Sequence, residues 1–310
     1  MTDRSSAFEF AIIVRSKTRR EMLQDKFQTH AQAKFYVERS GGSIDDVDAE
    51  HDQFYRSLEA IQQQLSGKLK YKIIDRGFLS SFIFADTHLV ITVGQDGLVA
   101  NTAKYVKGQP IIGVNPDPER FDGVLLKTQV KTFSGHLHRC LTQTEQLSEI
   151  TMAELKLNDG QRLLAFNDFF IGPSSHISAR YIISHAGKKE EHSSSGILVS
   201  TGAGKTGWMS SVLNMVSGFA GRSPLARYDN LNWNSPELIY AVREPFISKQ
   251  SQASLVWGMI DEANPLVLES RMAAAGVVFS DGVERDFLQF NSGAIATIGV
   301  APEKARLVVS

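Results

Sequence analysis

The stretch Ile91-Thr92-Val93-Gly94-Gln95-Asp96-Gly97-Leu98-Val99-Ala100 sets the reading of the chain. An apolar, β-favouring run enters a glycine-flanked aspartate and then an apolar segment, the pattern of a strand, a tight turn and a helix. Two readings of the aspartate stand open. Glycine and aspartate form turns for purely local reasons. Alternatively, a carboxylate is presented at the carboxyl end of a strand, where open α/β sheets collect ligands. There glycine lets backbone approach a phosphate closely, and the following helix N-terminus attracts anions.

On the N-terminal side, residues 8–14 form a β-favouring run, and residues 17–39 carry Met22, Leu23, Phe27, Ala31, Phe35 and Tyr36 at helical spacing. A second amphipathic helix is predicted over 45–64, with Val47, Phe54, Leu58 and Ile61 inward and Gly67 closing it. Residues 71–74, 79–84 and 89–93 read as strands, 98–106 as a helix and 110–114 as a strand. This alternation predicts a parallel α/β sheet.

The texture changes after residue 127. One more helix is predicted over 137–149. Strand-like segments follow at 163–171, 181–184, 197–200, 238–241, 253–257, 274–279, 287–290, 295–300 and 305–309. Turn clusters such as Gly187-Lys188-Lys189, Asp281-Gly282 and Asn291-Ser292-Gly293 separate them, as in antiparallel β structure. The expected architecture is an α/β domain over 1–130 followed by a β-rich, sandwich-like domain over 131–310.

At roughly 100–200 residues per domain, 310 residues suit two domains. With 33 basic and 34 acidic side chains the formal charge is -1, which argues against a nucleic acid or an anionic membrane as partner. The single cysteine, Cys140, excludes an intramolecular disulfide and a multi-cysteine zinc site, and so predicts a reducing compartment. The longest apolar runs fall far short of the ~20 residues that span a bilayer, and the N-terminal MTDRSSAFEF lacks the apolar core of a secretory signal. A cytoplasmic protein is the expectation.

Three further segments carry polar groups at predicted strand ends. Ile111-Ile112-Gly113-Val114-Asn115-Pro116-Asp117-Pro118-Glu119-Arg120 is a strand ending in a proline-stiffened polar loop. Phe166-Asn167-Asp168-Phe169-Phe170-Ile171 sets an Asn-Asp pair inside an apolar run. Leaving that pair unpaired in the interior would cost several kcal/mol, so it is either a turn satisfied by backbone or a ligand site. Residues 196–208 read as strand, glycine-rich turn and helix. They fail the Walker A pattern, because Val199 stands where its first glycine belongs. Gly202-Ala203-Gly204-Lys205-Thr206-Gly207 matches GxGxxG literally, with Asp229 about 20 residues on, but the β-rich sequence downstream does not suit a dinucleotide-binding βαβ unit.

Taken together and in order, Gly94-Gln95-Asp96-Gly97, Gly113-Val114-Asn115, Asn167-Asp168 and residues 196–206 resemble the NAD kinase family. That family carries a GGDG-type loop, a Gly-Val-Asn strand end, an Asn-Glu pair and a Gly-Leu-Ile-Val-Ser-Thr-x-x-Gly-Ser-Thr-like segment. Residues 115–120, Ser194-Ser195-Gly196, Val242-Arg243-Glu244-Pro245 and residues 290–296 are similar to the mitochondrial-type branch. The likeness spans about residues 88–300. Gln95 stands where the pattern has its second glycine, Leu98 where it has a threonine, and Asp168 where it has a glutamate. The Gln95 side chain is expected where a phosphate would approach.

The resemblance implies a Rossmann-like N-terminal domain, a β-rich C-terminal domain and a dinucleotide in the crevice between them. The implied enzyme is a phosphotransferase with an alcohol acceptor, moving a phosphoryl group from ATP to the 2′-hydroxyl of the adenosine ribose of NAD. Mg²⁺ would accompany ATP, since phosphoryl transfer depends on neutralising phosphate charge, and no protein metal ligand is assigned. Asp96 would be the general base or orienter of the hydroxyl. Gly94, Gln95 and Gly97 would face the phosphates, with Asn115 at the same edge. Asn167 and Asp168 would hold ribose and base groups, and Ser200, Thr201, Gly202, Gly204 and Thr206 would wrap the adenosine. A homo-oligomer, dimer or tetramer, is implied. Two other readings stay open: a weakly active or inactive NAD(P)-binding member of the same fold, and a related lipid or sugar kinase.

Overall fold

The computed structural model describes residues 8–221 and 230–309, so Asp229 lies outside the described residues. The chain divides into two compact units, Met1–Ser148 with Arg306–Ser310, and Glu149–Ala305.

The first unit starts with β1 (Phe10–Arg15), α1 (Arg19–Lys26), α2 (His30–Arg39) and α3 (Ile44–Leu65). The single helix expected over 17–39 is two helices. Thr18 with Glu21, and Thr29 with Gln32, form capping boxes that start each of them, and the second box interrupts the first helix. α3 begins at Ser43, whose side chain accepts the Asp46 amide, and buries Val47, Phe54, Leu58, Ile61 and Leu65, each contributing about 1.5–3 kcal/mol. Next come β2 (Lys70–Asp75), a 3₁₀ turn over Arg76–Ser81, β3 (His88–Val93), α4 (Asp96–Ala103), β4 (Pro110–Asn115), β5 (Thr128–Gln129) and α5 (Phe133–Leu141). The strand expected over 79–84 is replaced at its start by that 3₁₀ turn, in which only Leu79 is buried. The helix expected over 137–149 starts earlier and stops at Leu141, because Gln143 takes a left-handed conformation (φ 57°). α5 adds Phe133, Leu137 and Cys140 to the core that holds Ile13, Ile91 and Val114, which is why this unit runs past residue 130.

The strands pair in parallel in the order β2-β1-β3-β4. β3 and β4 are buried almost throughout, as the strands of a doubly covered parallel sheet must be. β1 connects to β2 on one side, while β3 and β4 lie on the other. The chain therefore switches direction beside β1 and β3, and their carboxyl ends open a crevice there.

The second unit is antiparallel. It contains β6 (Leu147–Leu157, entering from the first unit), β7 (Arg162–Ala165), β8 (Asp168–Pro173), β9 (Ala179–His185), β10 (Lys188–Ser194), β11 (Ile197–Ser200), α6 (Trp208–Ala220) and β12 (Leu238–Val242). β13 (Trp257–Ile260), β14 (Leu266–Ser270), β15 (Gly276–Ser280), β16 (Val283–Gln289) and β17 (Ile295–Val308) complete it. One sheet runs β13-β12-β11-β8-β15-β16; the facing one runs β10-β9-β14-β17, with β6 and β7 beside β17. Phe169, Ile171, Val199, Tyr240 and Val278 from the first sheet share a core with Tyr181, Ile183, Leu268 and Ile298 from the second. This is the expected sandwich. The predicted strand 163–171 is broken at Phe166-Asn167, the predicted strands 295–300 and 305–309 are one, and the strand expected over 253–257 begins only at Trp257.

Candidate functional site

In the first unit, a cavity of about 270 Å³ lies beyond the carboxyl ends of β1, β3 and β4, lined by residues 16–19, 93–95, 97–98, 116–117 and 121, with Glu50 and Arg76; Asp96 stands beside it, between the lining Gln95 and Gly97. The loop behind β1 is held from below. The Arg15 guanidinium and the Tyr55 hydroxyl both donate to Glu21 (2.9 and 2.8 Å), and so does the Thr18 amide (2.7 Å). Burial opposes ionisation of Glu21, but these three donors outweigh it and hold its carboxyl down at about 2.

Asp96 is the first residue of α4. Its two carboxylate oxygens accept the backbone N–H groups of Val124 (3.1 Å) and Leu125 (2.8 Å), which fixes its direction. A carboxylate offers about four acceptor positions, so each oxygen retains capacity for a substrate hydroxyl. Gln95 has an extended backbone (φ -104°, ψ 166°) that any residue adopts, and its side chain is exposed. Leu98 is buried and belongs to the packing under the loop. Asn115 is buried, with its carboxamide donating to the Phe121 carbonyl (2.8 Å) and accepting the Asp117 amide (3.0 Å). It shapes the loop that follows β4.

The cations around this cavity are unequal. Lys17 pairs with Asp25 (2.6 Å) and Arg19 with Glu50 (3.7 Å). Arg76, half-buried at the end of β2, has no polar partner among the described residues, so its fork of donors faces the cavity unspent.

In the second unit, the corner between β7 and β8 presents the Asn167-Asp168 pair. Thr201 is fully buried; its hydroxyl donates to the Phe166 carbonyl (2.6 Å) and accepts the amides of Ala203 and Gly204 (3.2 Å each). Its own amide donates to the Asn167 carbonyl (2.9 Å). Ser200, also buried, directs its hydroxyl to the Thr201 carbonyl (3.1 Å). Two glycines permit this close packing: a Cβ on Gly204 would stand 2.2 Å from the Asn167 carbonyl oxygen, and one on Gly202 would stand 1.8 Å from that of Asn232. Thr206 is exposed at the end of the turn. Trp208, which opens α6, stacks on Phe170 (5.5 Å between rings, 13°) beneath the Arg243 guanidinium, tying the glycine-rich segment to β8.

From the opposite side, Asp281 holds the same corner. Its carboxylate accepts three consecutive amides, those of Phe166 (3.0 Å), Asn167 (2.6 Å) and Asp168 (3.3 Å), and its amide donates to the Asp168 carbonyl (3.0 Å). Asp168 is buried. The half-buried Asn167 carboxamide makes no hydrogen bond among the described residues. In the sequence Asp281 is only half of an Asp-Gly turn, and nothing there singles out Arg76. No sequence signal points to Asp281, because its partners lie more than 110 residues away.

No family model and no curated protein matches the sequence. Solved structures do. Yeast NADH kinase, in a crystal structure complexed with NADH, matches over 100% of this chain and 88% of its own at 12% identity, with a TM-score of 0.61. An NAD kinase from Archaeoglobus fulgidus in complex with ATP matches over 96% of this chain and 93% of its own at 15% identity, with a TM-score of 0.56. The chain has an NAD kinase-like fold. At these identities the likeness is one of fold, and within the NAD kinase-like fold it does not select a branch. Among the described residues no three His, Cys, Asp or Glu side chains converge to hold a metal ion, and no helix is long and apolar enough to cross a membrane.

Proposed function

We propose that this protein is a phosphotransferase that moves the terminal phosphoryl group of ATP to the 2′-hydroxyl of the adenosine ribose of NAD, forming NADP. The observation that carries the reading is the Asp96 loop: in an NAD kinase-like fold, a carboxylate fixed by two backbone amides stands at the strand ends beside a cavity with an unspent guanidinium. Phosphoryl transfer has little covalent chemistry for the protein to perform; it depends on positioning and charge neutralisation. Asp96 receives the proton of the ribose hydroxyl as its oxygen bonds to phosphorus, and the bond to the ADP leaving group breaks. Arg76 neutralises donor phosphates, and the α4 N-terminus adds uncommitted N–H groups. Mg²⁺ would accompany ATP and, when bound, would supply charge screening at the phosphates, with no side chain of this chain assigned to hold it. Asn167 binds a polar group of the dinucleotide.

A second reading, a dinucleotide binder without turnover, is favoured by one observation: both Asp96 oxygens already serve backbone amides. Incubating the protein with NAD, ATP and Mg²⁺ separates the two. NADP formation supports the kinase, NAD binding without NADP supports the binder, and no binding of either nucleotide overturns both.

A further inference from the structure

We propose that Asp281 is a positioning residue that holds the Phe166–Asp168 corner rigid so that the Asn167 carboxamide faces a ligand. This rests on the reading of Asn167 as a dinucleotide contact. Asp281 and Gly282 form the two-residue turn between β15 and β16, with φ 53° and 66°. A turn of this shape needs only residues that tolerate positive φ, and Asn-Gly serves it as well as Asp-Gly. The carboxylate is therefore surplus to the turn, yet it is fully used elsewhere.

Its two oxygens take three successive amides, 113 to 115 residues earlier in the chain. Those amides lie where the chain leaves β7 and enters β8, a break at which the peptide N–H groups need other partners. The carbonyls of the same three residues are also engaged: Phe166 by the Thr201 hydroxyl, Asn167 by the Thr201 amide, Asp168 by the Asp281 amide. The Phe166 side chain is fully buried beneath. Every backbone group of the corner is thus fixed by two residues from distant segments, and the Asn167 side chain is the group left over. Pre-orienting one carboxamide in this way spares the ordering cost when a ligand binds.

Asp281→Asn keeps the turn but exchanges one acceptor oxygen for a donor that faces amide hydrogens. Asp281→Gly keeps the turn and removes the clamp. Losing charge-assisted hydrogen bonds of this kind is expected to weaken NAD binding about tenfold or more, with ATP affinity within about twofold and faster hydrogen exchange at the amides of residues 166–168. A merely structural role would lower thermal stability and leave the ratio of NAD to ATP affinity where it was. Unchanged NAD affinity in a folded variant overturns the inference while leaving the proposed function intact. A wild-type protein that binds no dinucleotide instead overturns the proposed function, and the inference with it. If neither Asp281 variant folds, Asn167→Ala decides, since that side chain supports no other residue. Undiminished NAD affinity in Asn167→Ala leaves Asp281 nothing to position and refutes the proposal.

Discussion

The Asp96 loop and the Asn167 corner solve the same problem in opposite ways. Each must hold a polar side chain at a strand end, and each uses a carboxylate that gathers backbone amides. In the first unit the carboxylate is that of Asp96 itself, which takes the amides of Val124 and Leu125. In the second unit Asp281 gathers the amides, and Asn167 is released from scaffolding. A side chain that builds its own support is directed but partly occupied; one that borrows support keeps its full hydrogen-bonding capacity. The difference makes Asp96 the residue whose loss should damage structure and chemistry together.

Asp96→Asn is accordingly expected to lower NADP formation by at least ~10²-fold, with a fall in melting temperature that Asn167→Ala does not share. Turnover near the wild-type rate would leave Asp96 a scaffold alone. Gly204→Ala attacks the other corner, since its Cβ would meet the Asn167 carbonyl at 2.2 Å. Denaturant titration should show a loss of about 2 kcal/mol, and an unaffected midpoint would mean that the corner yields easily. Arg76→Ala tests whether anion binding belongs to the first unit. ATP affinity should fall about tenfold, or about 1.4 kcal/mol, while NAD affinity holds, and equal losses for both ligands would break the division of labour.

Glu21 supports the loop behind β1 and adds a pH dependence. Its folded carboxyl lies at about 2, against about 4.3 in an unfolded chain. Its stabilisation is therefore present above the unfolded value and is lost as pH falls through the window from about 4.3 to 2. In Glu21→Gln the stability curve should be flatter in that window and lower above it by about 1 kcal/mol, as acid titration followed by circular dichroism would read. The smallest effect is expected for Gln95→Gly. The backbone there needs no glycine, so stability should fall by under about 1 kcal/mol, and an increase in donor affinity of tenfold or more would show that the Gln95 side chain obstructs the phosphates.

The two regions were also legible in the sequence to different degrees. Apolar runs such as Leu89-Val90-Ile91 and Ile111-Ile112 announce buried parallel strands, and Gly94 to Gly97 marks the turn after one of them. Those signals are local. β10, with the sequence Lys-Lys-Glu-Glu-His-Ser-Ser, carries no apolar alternation and becomes a strand by pairing with β9. The break inside 163–171 depends on Asp281 and Thr201, neither of which is near it in sequence. Thr201 reads as an adenosine contact, yet its hydroxyl has three backbone partners. Residue type indicates what a side chain can bond, whereas the long-range fold selects the partner.

β17 has a temporal consequence. Its residues Arg306 and Leu307 pair in parallel with Pro110 and Ile111 of β4, across about 200 residues of intervening chain. At about 5–20 residues per second, a ribosome would take roughly 10–40 s to deliver that segment after β4 emerges. Throughout that interval the start of β4 offers an unpaired edge to any neighbouring nascent strand. Vectorial synthesis thus leaves the parallel sheet open at the start of β4 until the whole of the second unit has been made.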